Sequence, residues 1–300
     1  MKQAPATAVI VTYNSAAQID ECLRAVRRSH DAGLLNCVVV DNASRDATPR
    51  ILSQHESWAT VIRSPENLGF GRGCNLGFAA VASPYVLFLN PDAVLEQAGT
   101  ARLIEFLDAN ARAGIVAPAI LESDGGYQTT GPFPTPGRIL RTASPGLGRR
   151  HADRAIVPGE APARTEWVCG AALMIRSELF KALGGFDPRF FLYFEETDLC
   201  RRAAAAGSEI WTVGEATAHH VGGASAVQDV KESFSGCIPR YYFASRYYYL
   251  RKHFGLPAAV GTEILEWVLL ALSAGTARLR GRTDRRFAVR LRGPMLRMPG

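Results

Sequence analysis

Short apolar runs, each ended by polar residues, constrain the fold of this 300-residue chain more than any other feature. Residues 8–12 (AVIVT), 37–40 (CVVV) and 85–89 (YVLFL) are almost entirely apolar, which is typical of strands buried on both faces of a sheet. Segments with helical spacing follow them, such as the apolar positions between Ile19 and Val26. This alternation predicts an α/β fold with a parallel or mostly parallel central sheet flanked by helices.

The polar residues that end these runs are the first candidates for a ligand site. In open α/β sheets ligands bind beyond the carboxyl ends of the strands, where residues 12–14, Asp41 and residues 90–92 (NPD) are all predicted to lie. Asp41 can cap the next turn, or it can hydrogen-bond the base or ribose of a nucleotide. Asp92 can belong to an Asn-Pro turn, or it can bind a hard cation that in turn binds a diphosphate.

The second candidate is the acidic stretch inside residues 186–202 (FDPRFFLYFEETDLCRR), where Glu195, Glu196 and Asp198 lie within four residues. In a cleft this crowding raises the pKa of at least one carboxyl group, which suits a general base. The alternative is a helix start, because acidic residues are favourable in a first turn. A helix predicted from about Asp198 to Gly207 explains Asp198 well. It explains two glutamates directly after an aromatic run less well.

The glycine-rich segment at residues 69–77 (GFGRGCNLG) matches neither common phosphate-binding motif. Cys74 stands where the dinucleotide fingerprint needs its third glycine, and the P-loop sequence Gly-Lys-Ser/Thr does not occur. A dehydrogenase or NTPase is therefore disfavoured.

His220 is a further candidate, because it precedes a Val-Gly-Gly sequence that permits close approach of a ligand. The alternative is a structural histidine.

The net charge of +6 is concentrated at the C-terminal end of the chain. Residues 276–300 hold eight arginines and one aspartate, which leaves −1 for residues 1–275. Because this tail lacks interleaved aromatic residues, we expect no nucleic-acid partner.

The six cysteines form no CxxC pair, which indicates reduced, cytosolic usage rather than a disulfide framework or zinc site. The apolar run at 8–11 is too short for a signal peptide.

The C-terminal part of the chain is expected to form a helical extension. An apolar helix spans residues 258–274 and the arginines follow it, a pattern typical of interfacial attachment to a membrane. The alternative is an ordinary helix that packs on the body or on a dimer partner. Its longest uncharged run, residues 267–277, is shorter than the roughly 20 residues that span a bilayer.

Six motifs, in order, make the chain resemble the family 2 inverting glycosyltransferases of the GT-A fold, especially the bacterial rhamnosyltransferase-like group. They are VIVTYNS at 9–15, VVVDNASRDAT at 38–48, NLGFGRGCNLG at 67–77, VLFLNPDAVL at 86–95, FDPRFFLYFEETDLCRRAAAAG at 186–207 and HxGGxS at 220–225. The resemblance implies a GT-A domain over residues 1–250, with a nucleotide-binding half at 1–118 and an acceptor half at 119–250. Residues 251–300 form the helical extension.

The resemblance also implies roles for the donor-site residues. The residues implied to hold the base and ribose of the nucleotide are Thr12, Tyr13 and Asp41, with Arg72 nearby. Asp92 is implied to coordinate Mg²⁺ or Mn²⁺ on the donor's diphosphate, and His220 approaches that metal or the phosphates. The first position of the metal motif is Asn90 rather than aspartate, so one negative charge fewer should weaken metal binding.

For catalysis the resemblance implies a base at the acidic stretch. The family's motif there usually reads Glu-Asp, with the second acid as base; here it reads Glu-Glu, which puts the base on Glu196, with Glu195 as the second choice. Asp198 and Trp167 are expected to contact the acceptor.

The implied reaction moves a sugar from a nucleotide-diphosphate donor, with dTDP-rhamnose or a UDP-sugar favoured, to a hydroxyl group of a glycan or polyprenyl-linked acceptor. Such an enzyme serves cell-surface polysaccharide synthesis. We expect it in the cytoplasm or at the inner face of the cell membrane, with contact through residues 258–300 and a homodimer as open alternatives. A noncatalytic relative that binds sugar nucleotide or glycan is the competing hypothesis, and the intact acids argue against it.

Overall fold

The structure is a computed structural model that describes residues 4–144, 153–220, 238–281 and 285–299. Its backbone packing divides the chain into two units. The first comprises Met1–Pro132, Asp153–Pro188 and Glu195–Gln228, and the second comprises Phe133–Ala152, Arg189–Phe194 and Asp229–Gly300. The division at residue 250 that the motifs imply stays a prediction.

The described residues form strands and helices in the following order along the chain. The strands are β1 Ala6–Thr12, β2 Leu35–Asp41, β3 Thr60–Arg63, β4 Tyr85–Leu89, β5 Ala93–Leu95, β6 Ala113–Glu122, β7 Thr129–Thr130, β8 Arg154–Ala155, β9 Ala163–Thr165, β10 Ala172–Arg176 and β11 Glu209–His220. The helices are α1 Ile19–Asp31, α2 Thr48–Leu52, α3 Phe70–Phe78, α4 Gln97–Ala109, α5 Pro136–Ala143, α6 Ser177–Ala182, α7 Glu195–Ala205, α8 Ile238–Phe254, α9 Leu256–Leu279 and α10 Arg285–Leu291.

One sheet organises the first unit, in the order β3-β2-β1-β4-β10-β6-β11-β5, with β9 also paired to β11. Strands β3, β2, β1 and β4 are mutually parallel. Beyond them the sheet is mixed, because β10 runs antiparallel to β4 and β6 while β11 runs parallel to β6. The predicted α/β fold with a central sheet and flanking helices is confirmed, and its parallel half carries the first three apolar runs.

The parallel half places the polar residues that follow its strands at one edge of the sheet. Thr12 lies opposite Asp41 in the register of β1 and β2, and Ile10 lies opposite Leu89 at the end of β4. Helix α1 buries Ile19 and Val26, as its helical spacing predicts, in the core of this unit. The carboxyl ends of β1, β2 and β4 therefore form one edge from which a ligand site can be built.

The glycine-rich segment packs a helix closely on the sheet. A Cβ atom added at Gly73 would lie 2.7 Å from Val11 Cγ1, and one added at Gly77 would lie 2.6 Å from Val9 Cγ1. No larger residue fits at either position without movement of β1. The glycines of α3 thus serve helix–sheet packing, which agrees with the mismatch to both phosphate-binding motifs.

The second unit is helical and has its own aromatic core. Its buried core residues are Ile139, Phe190, Phe194, Tyr247, Tyr248, Tyr249, Leu250 and Ala259. Helix α9 has 24 residues and is, within the described part of the chain, the one helix long and apolar enough to cross a membrane, although a third of its apolar window is buried. It extends beyond the helix predicted at residues 258–274, by two residues at its start and five at its end.

Candidate active site

The three predicted metal-site residues lie together at the edge of the sheet. Asn90 and Asp92 occupy the link between β4 and β5, and His220 ends β11, where it pairs with Ala93 of β5. Asp92 Oδ1 lies 3.2 Å from His220 Nε2, and Asn90 Nδ2 lies 3.4 Å from the same nitrogen. The rest of the HxGGxS motif, residues 221–225, lies outside the described residues.

A fourth residue, Glu122, joins this group, and the sequence did not reveal it. Glu122 ends β6, lies opposite His220 in the register of β6 and β11, and places Oε2 3.1 Å from His220 Nδ1. Burial lowers the pKa of His220, but its hydrogen bonds to Asp92 and Glu122 outweigh burial and raise the pKa to about 9. The available signal was an acid directly after an apolar strand, the same signal that marked Asp41.

This group fits a divalent cation held partly by a substrate. Asp92 Oδ1 and His220 Nε2 are adjacent, and Glu122 can hold the proton on Nδ1, as outer carboxylates do beside metal-bound histidines. No set of three or more His, Cys, Asp or Glu side chains in the described ranges is arranged to hold a metal by itself. Mg²⁺ commonly takes one or two carboxylates together with substrate phosphates, so the donor set suits a metal that arrives with a diphosphate.

An open cavity adjoins these side chains. Its volume is about 360 Å³, and its lining includes Gln18, Glu21, Asp92, Glu122, His219 and His220. All of these residues belong to the first unit, and Asp92 and His220 are the predicted site residues among them.

The predicted nucleotide-binding residues follow β1 and β2. The main-chain N–H of Asn42 donates to the carbonyl of Thr12 over 2.9 Å, and Asp41 Oδ1 accepts the N–H of Ser44 over 3.0 Å. Asp41 therefore does stabilise the next turn, as the simpler alternative supposed. Thr12 Oγ1 and Asn42 Oδ1 are buried without a hydrogen-bond partner, and such atoms are costly unless a ligand or water pairs with them.

Backbone strain also marks these two loops. Asn14 and Ala43 adopt φ of 51° and 63°, in the left-handed region that non-glycine residues rarely occupy. Tyr13 is half-buried beside them. Arg72 lies on α3 and forms an ion pair of 3.5 Å with Glu66, not with the nucleotide candidates. Asn42 was not singled out from the sequence, because an amide after a strand is equally typical of a turn.

The acidic pair opens α7 rather than preceding it. The helix begins at Glu195, three residues before the predicted start, and both Tyr193 and Phe194 adopt φ of 69° immediately before it. Two successive left-handed residues are unfavourable and are held only where the surroundings enforce them. This turn fixes both glutamates in the first turn of the helix.

Glu195 is the more deeply buried member of the pair, with 4% of its surface exposed. It lies beside Gly71, where an added Cβ would be 3.6 Å from Glu195 Cβ. Burial raises the pKa of Glu195 well above its usual value, and the neighbouring Glu196 raises it further. Its Oε2 is buried without a hydrogen-bond partner, and this setting favours the neutral form of the carboxyl group.

Glu196 is half-buried and lies beside the Cα of Gly170. Burial raises the pKa of Glu196 to about 7, while the main-chain N–H groups of Glu196 and Thr197 oppose the shift. Its Oε2 also lacks a hydrogen-bond partner. A carboxylate with a pKa near the working pH and an unpaired oxygen has the properties of a general base, and of the two glutamates Glu196 has them.

The segment Cys169–Ala171 connects the acidic pair to the metal-site group. The N–H of Asn90 donates to the carbonyl of Ala171 over 2.9 Å, and a Cβ atom added at Gly170 would lie 3.7 Å from Glu196 Cβ. Burial raises the pKa of the Cys169 thiol to about 12, and charges on Glu196 and Glu122 raise it as well. Glu196 and Glu122 therefore both lie near enough to Cys169 for their charges to act on its thiol.

The two residues predicted to contact an acceptor lie in different settings. Asp198 is completely buried, and its Oδ2 accepts from Arg202 Nε over 2.8 Å. Arg202 also donates to the carbonyls of Leu183 and Gly185, so Asp198 helps to anchor α7. Trp167 is half-buried, and its carbonyl accepts from the hydroxyl of Thr130. The geometry favours a structural role for Asp198, and the acceptor contacts stay a prediction.

Comparison with known proteins establishes the family. The profile of Glycosyl transferase family 2 matches residues 7–157, half of the chain. The chain belongs to glycosyl transferase family 2. The match contains the first four of the six motifs, together with Thr12, Asp41, Asp92 and Glu122. This protein is therefore a glycosyltransferase, as the ordered motifs implied.

Individual family 2 relatives support the same group. The enzyme is 27% identical over 221 residues to the N-acetylglucosaminyl-diphospho-decaprenol L-rhamnosyltransferase of Mycobacterium tuberculosis, covering 66% of this chain and 70% of the relative. It is 23% identical over 193 residues to Rhamnosyltransferase WbbL of Escherichia coli, covering 61% of this chain and 70% of the relative. The resemblance to the rhamnosyltransferase-like group is confirmed.

A solved structure confirms the GT-A fold. The mannosyltransferase PcManGT from Pyrobaculum calidifontis, in complex with GDP-Man and Mn²⁺, aligns with a TM-score of 0.60 at 17% sequence identity. The alignment covers 97% of this chain and 79% of that chain.

Proposed function

We propose that this family 2 enzyme transfers a sugar from a nucleotide-diphosphate donor to a hydroxyl group of a glycan or polyprenyl-linked acceptor, in cell-surface polysaccharide synthesis. The names of the two rhamnosyltransferase relatives, one of which includes a diphospho-decaprenol acceptor, favour dTDP-rhamnose as donor, with a UDP-sugar as the alternative. A lipid-linked acceptor would place the enzyme in the cytoplasm or at the inner face of the membrane.

The observation that carries the proposal is the state of Glu196. Its half-buried position, its unpaired Oε2 and its pKa of about 7 suit proton transfer at neutral pH. Glu196 would take the proton of the acceptor hydroxyl as that oxygen forms a bond to the anomeric carbon. The bond from that carbon to the donor diphosphate breaks in the same displacement, and the anomeric configuration inverts.

Other residues would bind and orient the donor. Thr12 Oγ1 and Asn42 Oδ1 offer unpaired polar atoms to the nucleoside, with Asp41 and Tyr13 beside them. Asp92 and His220 would hold a Mg²⁺ or Mn²⁺ ion, which neutralises charge on the diphosphate when bound. Glu122 would keep His220 in the orientation that metal binding requires.

The replacement Glu196→Gln tests the base. We expect a loss of roughly 10² to 10⁴-fold in sugar transfer, with donor binding unchanged, because the amide cannot accept the proton. The measurements are product formation and calorimetric titration of the donor. The matched control is Glu178→Gln at an exposed position of α6, which should leave both unchanged. Near-normal turnover of Glu196→Gln would remove Glu196 from the mechanism.

A hydrolysis screen of sugar nucleotides with Mg²⁺ and with Mn²⁺ tests the donor and the metal. We expect dTDP-rhamnose to be hydrolysed fastest, and Asp92→Asn to weaken donor binding in the presence of metal only. Unchanged activity in EDTA would rule out the metal while leaving the fold and Glu196 in place.

A further inference from the structure

Helix α9 presents an exposed apolar stripe to the outside of the second unit. We define the α9 stripe as the side chains Ile264, Leu265, Val268, Leu272 and Leu279, whose exposed fractions are 45%, 52%, 43%, 59% and 89%. Leu265, Val268, Leu272 and Leu279 follow one another at intervals of three, four and seven residues, and Ile264 lies four residues before Val268, which places all five on one face of the helix. Single exposed leucines are ordinary, but a row on one helix face is typical of an interaction surface.

The opposite face of α9 is fixed by a buried cluster of charges. Arg246 of α8 donates Nε to Glu263 over 3.0 Å and Nη1 to Glu266 over 2.7 Å. Arg290 of α10 donates Nε to Glu266 over 3.1 Å and Nη2 to Glu263 over 2.5 Å. Rotation of α9 would break all four contacts and leave buried charges unpaired, so the charged face stays inside and the stripe stays outside.

This cluster disfavours a membrane-spanning α9, although the helix has sufficient length and apolarity. Glu263 and Glu266 lie within the helix, and their partner Arg246 belongs to α8. Insertion of α9 would either carry these paired charges into the hydrocarbon or separate them, and both are costly. A helix that lies along a membrane surface keeps the cluster intact and places the stripe in contact with lipid.

Charge identifies the kind of surface that complements the stripe. Both carboxylates of α9 are buried in the cluster, so the exposed face of the helix carries no acidic residue. At its C-terminal end Arg278 and Arg280 are exposed, and residues 276–300 together carry +7. A second copy of the chain would bring the same basic residues without acidic partners on its stripe, whereas anionic lipid supplies the complementary charge.

We propose that the α9 stripe docks on the surface of an anionic phospholipid membrane, with Arg278 and Arg280 beside the lipid phosphates. The apolar side chains enter the boundary between headgroups and acyl chains, and the arginines remain in the headgroup layer. This surface goes beyond the proposed transfer reaction, because it rests on the second unit and involves none of the residues assigned to catalysis or donor binding.

Flotation of the full-length protein with vesicles tests the proposal directly. We expect the protein to float with vesicles that contain phosphatidylglycerol and to stay at the bottom of the gradient with pure phosphatidylcholine. High salt should reduce flotation, because it screens the arginines from the lipid phosphates. Arg278→Gln should weaken binding to the anionic vesicles roughly fivefold, and the same factor applies to Arg280→Gln.

Variants of the stripe provide the second arm. Leu265→Glu and Leu272→Glu should each weaken vesicle binding about tenfold or more, since each loses the burial of one leucine in the interface. The matched control is Val157→Glu, an exposed apolar position in the first unit, which should float like the wild type. Circular dichroism and hydrolysis of sugar nucleotide establish that each variant is folded, independently of vesicle binding.

Two results would overturn the proposal. One is a wild type that does not float with anionic vesicles, or stripe variants that float as well as it does. The other is a wild-type dimer that Leu265→Glu converts to a monomer while flotation stays unchanged. That second result would assign the stripe to a second copy of the chain.

Discussion

Two pairs of buried glutamates in this glycosyltransferase differ in what surrounds them. Glu263 and Glu266 of α9 share two arginines, and all four side chains are nearly inaccessible to water. Glu195 and Glu196 open α7 with no cation among their described contacts, and one oxygen of each is buried without a hydrogen-bond partner. The same residue type thus occurs once with its charge fully matched and once without a match.

The presence or absence of an arginine partner distinguishes the glutamate pair that stabilises the fold from the pair that can take part in proton transfer. Burial raises the pKa of Glu263 above its usual value although Arg246 and Arg290 act in the opposite direction, and the close contacts of both arginines hold the two carboxyl groups of the cluster in place. No such partner restrains the pKa of Glu196, which burial raises to about 7. A buried carboxylate that is paired with arginines fixes how its helix packs. A buried carboxylate without such a partner remains able to exchange a proton.

The largest effect is expected when the matched pair is broken. Glu266→Gln should lower the free energy of unfolding of the second unit by about 3–5 kcal/mol, because Arg246 and Arg290 would remain buried with one carboxylate between them. Denaturant unfolding followed by tryptophan fluorescence and circular dichroism measures the loss.

The control for this experiment is Glu96→Gln, which breaks the solvent-exposed pair with Arg28 and should change stability little. Equal effects of the two replacements would show that the cluster of arginines and glutamates on α8, α9 and α10 does not stabilise the unit, and the distinction between matched and unmatched glutamates would lose its basis.

The next largest effect concerns pH. Glu196 accepts a proton only as a carboxylate, so transfer should rise as the pH passes through a pKa of about 7. Below that value the carboxylate fraction falls about tenfold per unit, which gives roughly a 100-fold loss two units lower. The measurement is kcat/KM against pH at saturating metal. A midpoint near the ordinary value of 4.5 would mean that burial does not act on Glu196 in the working enzyme.

The carboxylate of Glu122 is intermediate between the arginine-paired and the unpaired glutamates, because its partner is a histidine. Glu122→Gln should weaken binding of Mn²⁺ in the presence of nucleoside diphosphate by about 10- to 100-fold, since His220 loses the group that orients its ring. Calorimetric titration of the metal measures this, with the exposed Glu105→Gln as control. Unchanged affinity would leave Glu122 without a role at the metal.

The sequence predicted the parts of this molecule that depend on local pattern. The apolar runs at β1, β2 and β4 and the helical spacing of α1 are local, and both were recognisable without partners. Asp92 is a candidate because it follows an apolar strand and His220 because glycines follow it, and the ordered motifs imply a metal role for both, which stays a prediction. Glu122 was missed because its contact with His220 depends on the pairing of β6 with β11, which no local spacing reveals.

The acidic regions show the same limit. The start of α7 was predicted about three residues late, because the two left-handed residues before Glu195 have no sequence signature. On α9, the sequence places Glu263 and Glu266 one turn apart within an apolar helix. Their burial depends on Arg246 and Arg290, whose approach is a property of tertiary packing. The tertiary structure is therefore needed to tell which glutamates are paired with arginines.

The smallest effect should follow replacement of the other unmatched glutamate. Burial, together with the neighbouring Glu196, raises the pKa of Glu195 well above its usual value and so favours the neutral carboxyl group, which Glu195→Gln replaces with an amide of similar shape. We expect less than about a tenfold loss of transfer and an unchanged acid limb of the pH profile, because Glu196 remains the titrating base. A loss as large as that of Glu196→Gln, or a pH midpoint that disappears, would instead assign the proton to Glu195.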